Sequence, residues 1–196
     1  MGHRFMELAF TPGVLAAQEA QGSRRAYEGF EAGPAYGDEL GPQESQFVLA
    51  RDSFYLATVG ETGWPYVQHR GGPIGFLQPL GDRHLVFPDY RGNRQYISLG
   101  NIDAGAKVCL FLMDYEQKVR LKIFGLASVS PERPDRYVDA PDSVRRRVER
   151  YWTIEVQGFD WNCPQHITRR FPEPRVLELV KSLRDRIAEL EAEGSA

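Results

Sequence analysis

Between residues 53 and 130 apolar and polar positions fall into short runs separated by turn residues. The run Phe54 to Val59 ends at Gly60-Glu61-Thr62-Gly63 and resumes as Trp64 to Arg70, which predicts a β-hairpin. Further strands are expected at Gly75 to Gln78, His84 to Phe87, Lys107 to Met113, Lys118 to Val129 and Tyr151 to Phe159. Within Lys118 to Val129, Val119, Leu121 and Ile123 fall on one face and Lys118, Arg120 and Lys122 on the other. Short joints between these runs favour an antiparallel barrel or sandwich over repeated β-α-β units. The expected class is mainly β with α, that is α+β.

At the C-terminal end the period changes. Val176, Val180, Leu183, Ile187 and Leu190 are spaced four, three, four and three residues apart, bordered by charged residues, which predicts an amphipathic helix over Val176 to Glu193. About two heptads are too few for a coiled coil, so docking on the domain or on a partner subunit is expected. Near the other end, Pro12 to Ala20 reads as a short helix with proline at its start and Gly22 beyond its end. Tyr27 to Gly41, interrupted by glycines and Pro34, reads as an arm or loop, and Glu44 to Arg51 as a further helix. Pro131 to Val148 reads as a helical insertion presenting Arg145, Arg146, Arg147 and Arg150 to solvent. The organisation expected is an N-terminal extension at 1–43, one core domain at 44–171 and a C-terminal helix at 172–196.

Composition narrows the functional classes. The length of 196 residues suits one domain with a full core, and 42% apolar content with 12% aromatics suits a globular protein. A net charge of −3 argues against a non-specific nucleic-acid binder. No apolar run is long enough to cross a membrane and no signal peptide is recognisable, so a soluble, cytoplasmic protein is expected. Cys109 and Cys163 are the only thiols, consistent with a reducing compartment, and Cys109 lies in an apolar run as a small buried hydrophobe would. Only Lys107, Lys118, Lys122 and Lys181 are lysines among 24 basic residues, so the cationic chemistry rests on arginine.

Candidate chemistry concentrates at Arg91-Gly92-Asn93-Arg94-Gln95-Tyr96, after a strand and before a helical segment expected at Gln95 to Asp103. Unpaired N–H groups at a helix start and two guanidiniums suit a phosphate, and a turn with solvated arginines is the alternative. His69-Arg70-Gly71-Gly72 is a second basic site, and the Lys118, Arg120 and Lys122 stripe is either a third or simply the wet face of a strand. Cys163 and His166 lack a second ligand pair, so no metal site is expected, nor does any orienting group mark them as a nucleophilic pair.

These landmarks, in order, resemble the pyridoxamine 5′-phosphate oxidase-like, FMN-binding split barrels over roughly Phe47 to Ile167. They are the hairpin Phe54 to Gly72, the block Phe87 to Tyr96 leading to Val108-Cys109-Leu110-Phe111, and the strand Val119 to Gly125. The resemblance implies a split β-barrel with peripheral helices and a flavin at the seam of a homodimer. It places Arg70, Asn93, Arg94 and Gln95 at the flavin phosphate, with Arg120 and, two residues on, Lys122 contributed by a later strand of the neighbouring subunit. Trp161 and Asn162 are placed near the isoalloxazine, although Trp161 equally fills core or interface. The family's C-terminal substrate segment is replaced by the helix Val176 to Glu193, which detaches the vitamin substrate from the expectation.

The function implied is an FMN-dependent oxidoreductase acting on a small molecule, with a nicotinamide as possible donor. FMN carries the redox chemistry, and no catalytic residue is expected to stand out. A non-enzymatic flavin-binding or storage protein is one rival. A haem-binding split barrel using His69, His84 or His166 as axial ligand is another.

Overall fold

Seven strands make one antiparallel sheet in the order β2-β1-β5-β6-β7-β4-β3. They are β1 (Ser53–Val59), β2 (Pro65–Gly71), β3 (Gln78–Pro79), β4 (His84–Tyr90), β5 (Lys107–Asp114), β6 (Val119–Ser130) and β7 (Val148–Asn162). The computed structural model describes residues 2–30, 34–138, 148–162 and 165–194. Among the described residues the sheet does not close, and β2 and β3 are its edges. The β1–β2 hairpin forms as the pattern requires, pairing Ser53 with Gly71 and Val59 with Pro65. Its turn is closed by the Gly63 N–H donating to Gly60 O at 2.8 Å, with Gly63 at φ 80°, a conformation cheap only for glycine.

One compact unit, Met1–Met113 with Arg120–Asn162, contains the sheet. Its inner face carries Phe54 and Leu56 of β1, Leu110 and Leu112 of β5, Leu121 and Ile123 of β6, Phe87 of β4, and Trp152 and Ile154 of β7, all buried. Burying each such side chain contributes about 1.5–3 kcal/mol, which fixes strand register because a one-residue slip would expose the whole set.

Helices cover parts of both faces. On the inner side, α3 (Pro42–Leu49) starts at a proline, and the Glu44 carboxylate accepts the Gly41 N–H at 3.0 Å, closing the first turn. The other oxygen of Glu44 accepts the Trp161 indole N–H at 2.7 Å, while Trp161 meets Phe47 edge to face. On the outer side, α1 (Arg4–Ala9) stacks Phe5 on Phe124 at 4.4 Å. A Cβ at Gly158 would come within 2.7 Å of the Phe5 backbone nitrogen, so glycine there is what admits the helix. α2 spans Pro12–Ala20 as expected, with Thr11 accepting the Val14 N–H, and α4 spans Ile97–Ala104. Asn101 of α4 donates to Thr58 Oγ1 at 2.9 Å, tying the helix to β1.

The second compact unit, Asp114–Val119 with Cys163–Ala196, contains α5 (Glu173–Gly194). Within it Arg175 pairs with Glu116 and Glu178, and Arg186 with Glu189. No residue of α5 is buried.

Five expectations need correction. Gly75 to Leu77 is a turn, with Gly75 at φ 80°, and only Gln78–Pro79 joins the sheet. The helix expected from Gln95 begins at Ile97, because Arg94 and Tyr96 adopt left-handed φ values of 61° and 53° that no helix can continue. Lys118, at φ 58°, lies in the turn before β6 and leaves the stripe to Arg120 and Lys122. Residues 131–138 form bends and turns rather than a helix, with Pro131 and Pro134 as breakers. Arg150 belongs to β7 and is half-buried, whereas Arg145, Arg146 and Arg147 lie outside the described residues.

Candidate functional site

Alternation along β2 decides which of its residues can meet the core. Arg70 pairs with Phe54 and Gln68 with Leu56, so both point to the inner face, while His69 pairs with Tyr55 on the outer one. β4 brings Asp89 to the same inner end, opposite Arg150 of β7. The result is a cleft of about 180 Å³ at the mouth of the core, lined by Gln68, Arg70, Asp89, Tyr90, Gly92, Asn93, Arg94, Tyr96, Ser98, Leu99 and Glu149. It adjoins a second hollow of about 610 Å³ that shares Gln68, Arg70, Tyr90 and Gly92 and adds His69 and Arg91.

The electrostatics centre on Arg70. Its Nη1 donates to Asp89 Oδ1 at 2.6 Å, and its guanidinium lies 5.4 Å from the centre of the Trp152 ring. Its Nε is buried without a partner. A buried N–H left unmade costs about 1–3 kcal/mol, so an acceptor entering here would recover it. Arg150 approaches Asp89 at 3.7 Å, pairs with Glu149 at 2.9 Å and lies over the Tyr96 ring at 5.0 Å. The Tyr96 hydroxyl donates to Glu149 at 3.1 Å. Arg94 is held more firmly protonated than a free arginine, chiefly by its hydrogen bond to Tyr96, with the Glu149 carboxylate adding to it.

The 91–96 segment is built by local polar chemistry. Asn93 Oδ1 accepts the Gln95 N–H at 3.1 Å and Asn93 Nδ2 donates to Gln95 Oε1 at 3.3 Å, an Asx-type turn. Two non-glycine residues at positive φ, Arg94 and Tyr96, within three positions mark a conformation imposed by its surroundings. Beyond it Ser98 donates to Gln68 Oε1 at 2.9 Å and locks the start of α4 to β2.

The structure therefore brings Arg70, Asn93, Arg94 and Gln95 to one region. It does not bring Arg120 or Lys122 there. Both occupy the outer face of β6, opposite to Arg70. Arg120 lies 6.0 Å from the centre of the Phe111 ring with its Nε buried and unpartnered, whereas Lys122 pairs with Asp160 at 3.1 Å and lies over Phe5. Trp161 is on the inner face, engaged by Phe47 and Glu44, and the Asn162 side chain lies outside the described residues, as does Cys163. Among the described residues no cluster of three potential metal ligands occurs. No helix among them is long and apolar enough to cross a membrane.

The family model for pyridoxamine 5′-phosphate oxidase matches residues 40–179, most of the chain. The chain belongs to that family. Its split-barrel fold with an open antiparallel sheet is thereby placed, and the matched span contains the whole Arg70 cleft. Solved structures similar to it include HupZ of Group A Streptococcus, 16% identical over 67% of this chain and 99% of that one, with a TM-score of 0.48. An FMN-binding protein of Syntrophomonas wolfei is 11% identical over 62% and 85%, with a TM-score of 0.46. HutZ, a haem storage protein of Vibrio cholerae, is 16% identical over 62% and 93%, with a TM-score of 0.42. No curated protein matches the chain.

Sequence reading overlooked Gln68, Ser98, Asp89, Glu149 and the inward placement of Arg150. Gln68 was available from alternation, two residues before Arg70 on the same strand face. Asp89 and Arg150 meet only through the long-range pairing of β4 with β7, for which a single sequence gives no signal.

Proposed function

We propose that this member of the pyridoxamine 5′-phosphate oxidase family is a homodimeric FMN-binding oxidoreductase acting on a small molecule. The observation that carries the reading is the cleft around Arg70, with a buried guanidinium N–H lacking an acceptor and a turn whose backbone is held in left-handed geometry beside it. Four guanidiniums, Arg70, Arg91, Arg94 and Arg150, face two carboxylates, Asp89 and Glu149, so the surroundings favour an anion. Arg70 and Arg94 would hold the phosphate, with Asn93, Gln95 and Ser98 as neutral partners.

The placement of the two arginines supports the dimer. Arg70 and Arg120 stand on opposite faces of one sheet, so one chain cannot direct both at a single phosphate, whereas a second copy can supply Arg120 from its outer face. The unpartnered Nε of Arg120 suits that role better than Lys122, already paired with Asp160. Bound FMN supplies the electron-transfer chemistry. The chain's own contribution is to anchor the phosphate, to seat Arg70 against Trp152 so that its guanidinium is oriented, and to exclude water through the apolar core behind it.

The absorbance spectrum of the purified protein tests the reading, followed by anaerobic addition of a nicotinamide. Flavin absorbance supports it, and bleaching by the nicotinamide supports an oxidoreductase over a flavin store. A Soret band with no flavin overturns it in favour of haem. Among the axial candidates, His84 stands at the exposed start of β4 and His166 is exposed, while His69, which borders the second hollow, packs edge to face on Tyr55.

A further inference from the structure

The helix α5 is longer than its sequence pattern suggests and carries more exposed apolar surface than the charge of the chain prepares one for. It spans Glu173–Gly194, and Val176, Leu177, Leu179, Val180, Leu183, Ile187 and Leu190 are all exposed on it. At about 1.5 Å per residue the helix runs roughly 33 Å, and its apolar seam from Val176 to Leu190 covers about two heptads, ending before Glu173 and Gly194 at the outer positions of the same spacing. Placing Val180 and Ile187 at position a puts Val176, Leu183 and Leu190 at position d. β-branched residues at a with leucine at d is the combination that favours two parallel strands.

The flanking charges agree with that choice. Arg186 occupies g and Glu191 the following e, so two helices side by side, pointing the same way and in register, place Arg186 of each against Glu191 of the other. An antiparallel pair brings e against e and g against g. Arg184 then faces Arg184, or Arg186 faces Arg186, whenever the pair is centred near the middle of the seam. Leu177 at e and Leu179 at g widen the seam over its first heptad. Arg186 already contacts Glu189 within its own helix at 2.7 Å, an exposed i, i+3 pair that leaves its remaining donors available.

We infer that α5 pairs in parallel and in register with α5 of a second copy of this chain, as a short two-stranded coiled coil. The inference rests on the homodimer of the preceding reading and is independent of flavin. A seam this short is marginal by itself. In a chain that also dimerises elsewhere, tethering raises its effective concentration, so the two contacts reinforce each other.

The test uses the full-length chain with Leu183→Cys or Leu190→Cys at d, and Asp185→Cys at the outward f position, under mild oxidation. The parent chain controls for its two native thiols. In-register parallel pairing predicts near-complete covalent dimer at both 183 and 190 and little at 185. Linking at only one of the d positions indicates an antiparallel pair and overturns the inference. So does equal linking at all three, or a covalent trimer. A second arm mixes Arg186→Glu with Glu191→Arg: each alone should dimerise about three- to tenfold more weakly, and the mixture should recover as a heterodimer. No recovery also overturns it. Sedimentation of the parent chain separates the two readings. A dimer without cross-linking at 183 and 190 removes the coiled coil and leaves the dimer standing, and a monomer removes both.

Discussion

Arg70 and Asp89 make opposite demands on the same site, and substituting each in turn separates an anion-binding arginine from a merely structural one. Their side chains are 15% and 10% exposed and meet at 2.6 Å. Removing Arg70 leaves Asp89 with Arg150 alone, at 3.7 Å. Breaking a buried pair costs about 3–5 kcal/mol, and because Arg150 remains and the site opens to a cleft, about 2 kcal/mol is expected here. That corresponds to a fall in Tm of roughly 4–8 °C for a chain of this size. Arg70→Ala also loses one charged hydrogen-bond partner of the phosphate, weakening FMN by about 1.5–3 kcal/mol, roughly ten- to a hundredfold. Asp89→Asn should lower Tm as well, but it frees the Arg70 Nη1 and deletes a negative charge beside the anion, so FMN should bind tighter by roughly tenfold, about 1.4 kcal/mol. Flavin fluorescence quenching on titration of the apoprotein, with thermal melts in parallel, gives both numbers. Equal weakening by the two substitutions would show that the pair only braces the fold, and wild-type affinity in Arg70→Ala would remove the phosphate assignment.

Arg94→Ala should weaken FMN by a similar ten- to hundredfold while leaving Tm within about 1 °C, since its side chain is exposed, and His69→Ala should do much less to binding; the same titration decides both. Gly158→Ala forces a methyl group against the α1 backbone and should cost about 1–3 kcal/mol by denaturant unfolding, with an unchanged midpoint refuting the close approach. Glu44→Ala removes the acceptor of the Trp161 indole and of the Gly41 N–H and should cost about 1–3 kcal/mol with a shift in tryptophan emission. Burial pushes the Cys109 thiol up, against a smaller opposing effect of Lys122, so alkylation at pH 8 should be slower than for a free thiol. The folded state then holds that proton after the unfolded chain has released it. Stability should therefore decline as pH rises above the ordinary thiol range, a decline absent in Cys109→Ala.

The strands were legible because one face of each is buried and the other is not. The β1–β2 hairpin and the apolar face of β6 follow from a period of two and a glycine turn, with no knowledge of partners. Two of the failures share one cause: where a segment answers to a distant neighbour, local pattern misleads. Gly75 to Leu77 looks like strand because Phe76 and Leu77 are apolar, yet they are buried as a turn, with Phe76 stacked on Phe54. Arg150 looked like one more arginine of a basic surface until β7 aligned it with Asp89. Lys118 fitted the stripe by spacing and left it through a single positive φ.

The same limit applies to the site. A sequence read along one chain collects Arg70, Arg94, Arg120 and Lys122 as four cations of one kind. The fold sorts them by sheet face, giving Arg70 and Arg94 a common cleft, Lys122 a carboxylate of its own, and Arg120 a place where its Nε has no acceptor within its own subunit. A buried guanidinium N–H without a partner costs about 1–3 kcal/mol unless something completes it. On the proposed homodimer, a single anion held between two copies of the chain would complete both. Flavin should therefore stabilise the dimer by mass action, and dilution to monomer should release it. Sedimentation followed at both protein and flavin wavelengths reads the two together. A monomer retaining FMN as tightly as the dimer would refute the shared site and the role given to Arg120.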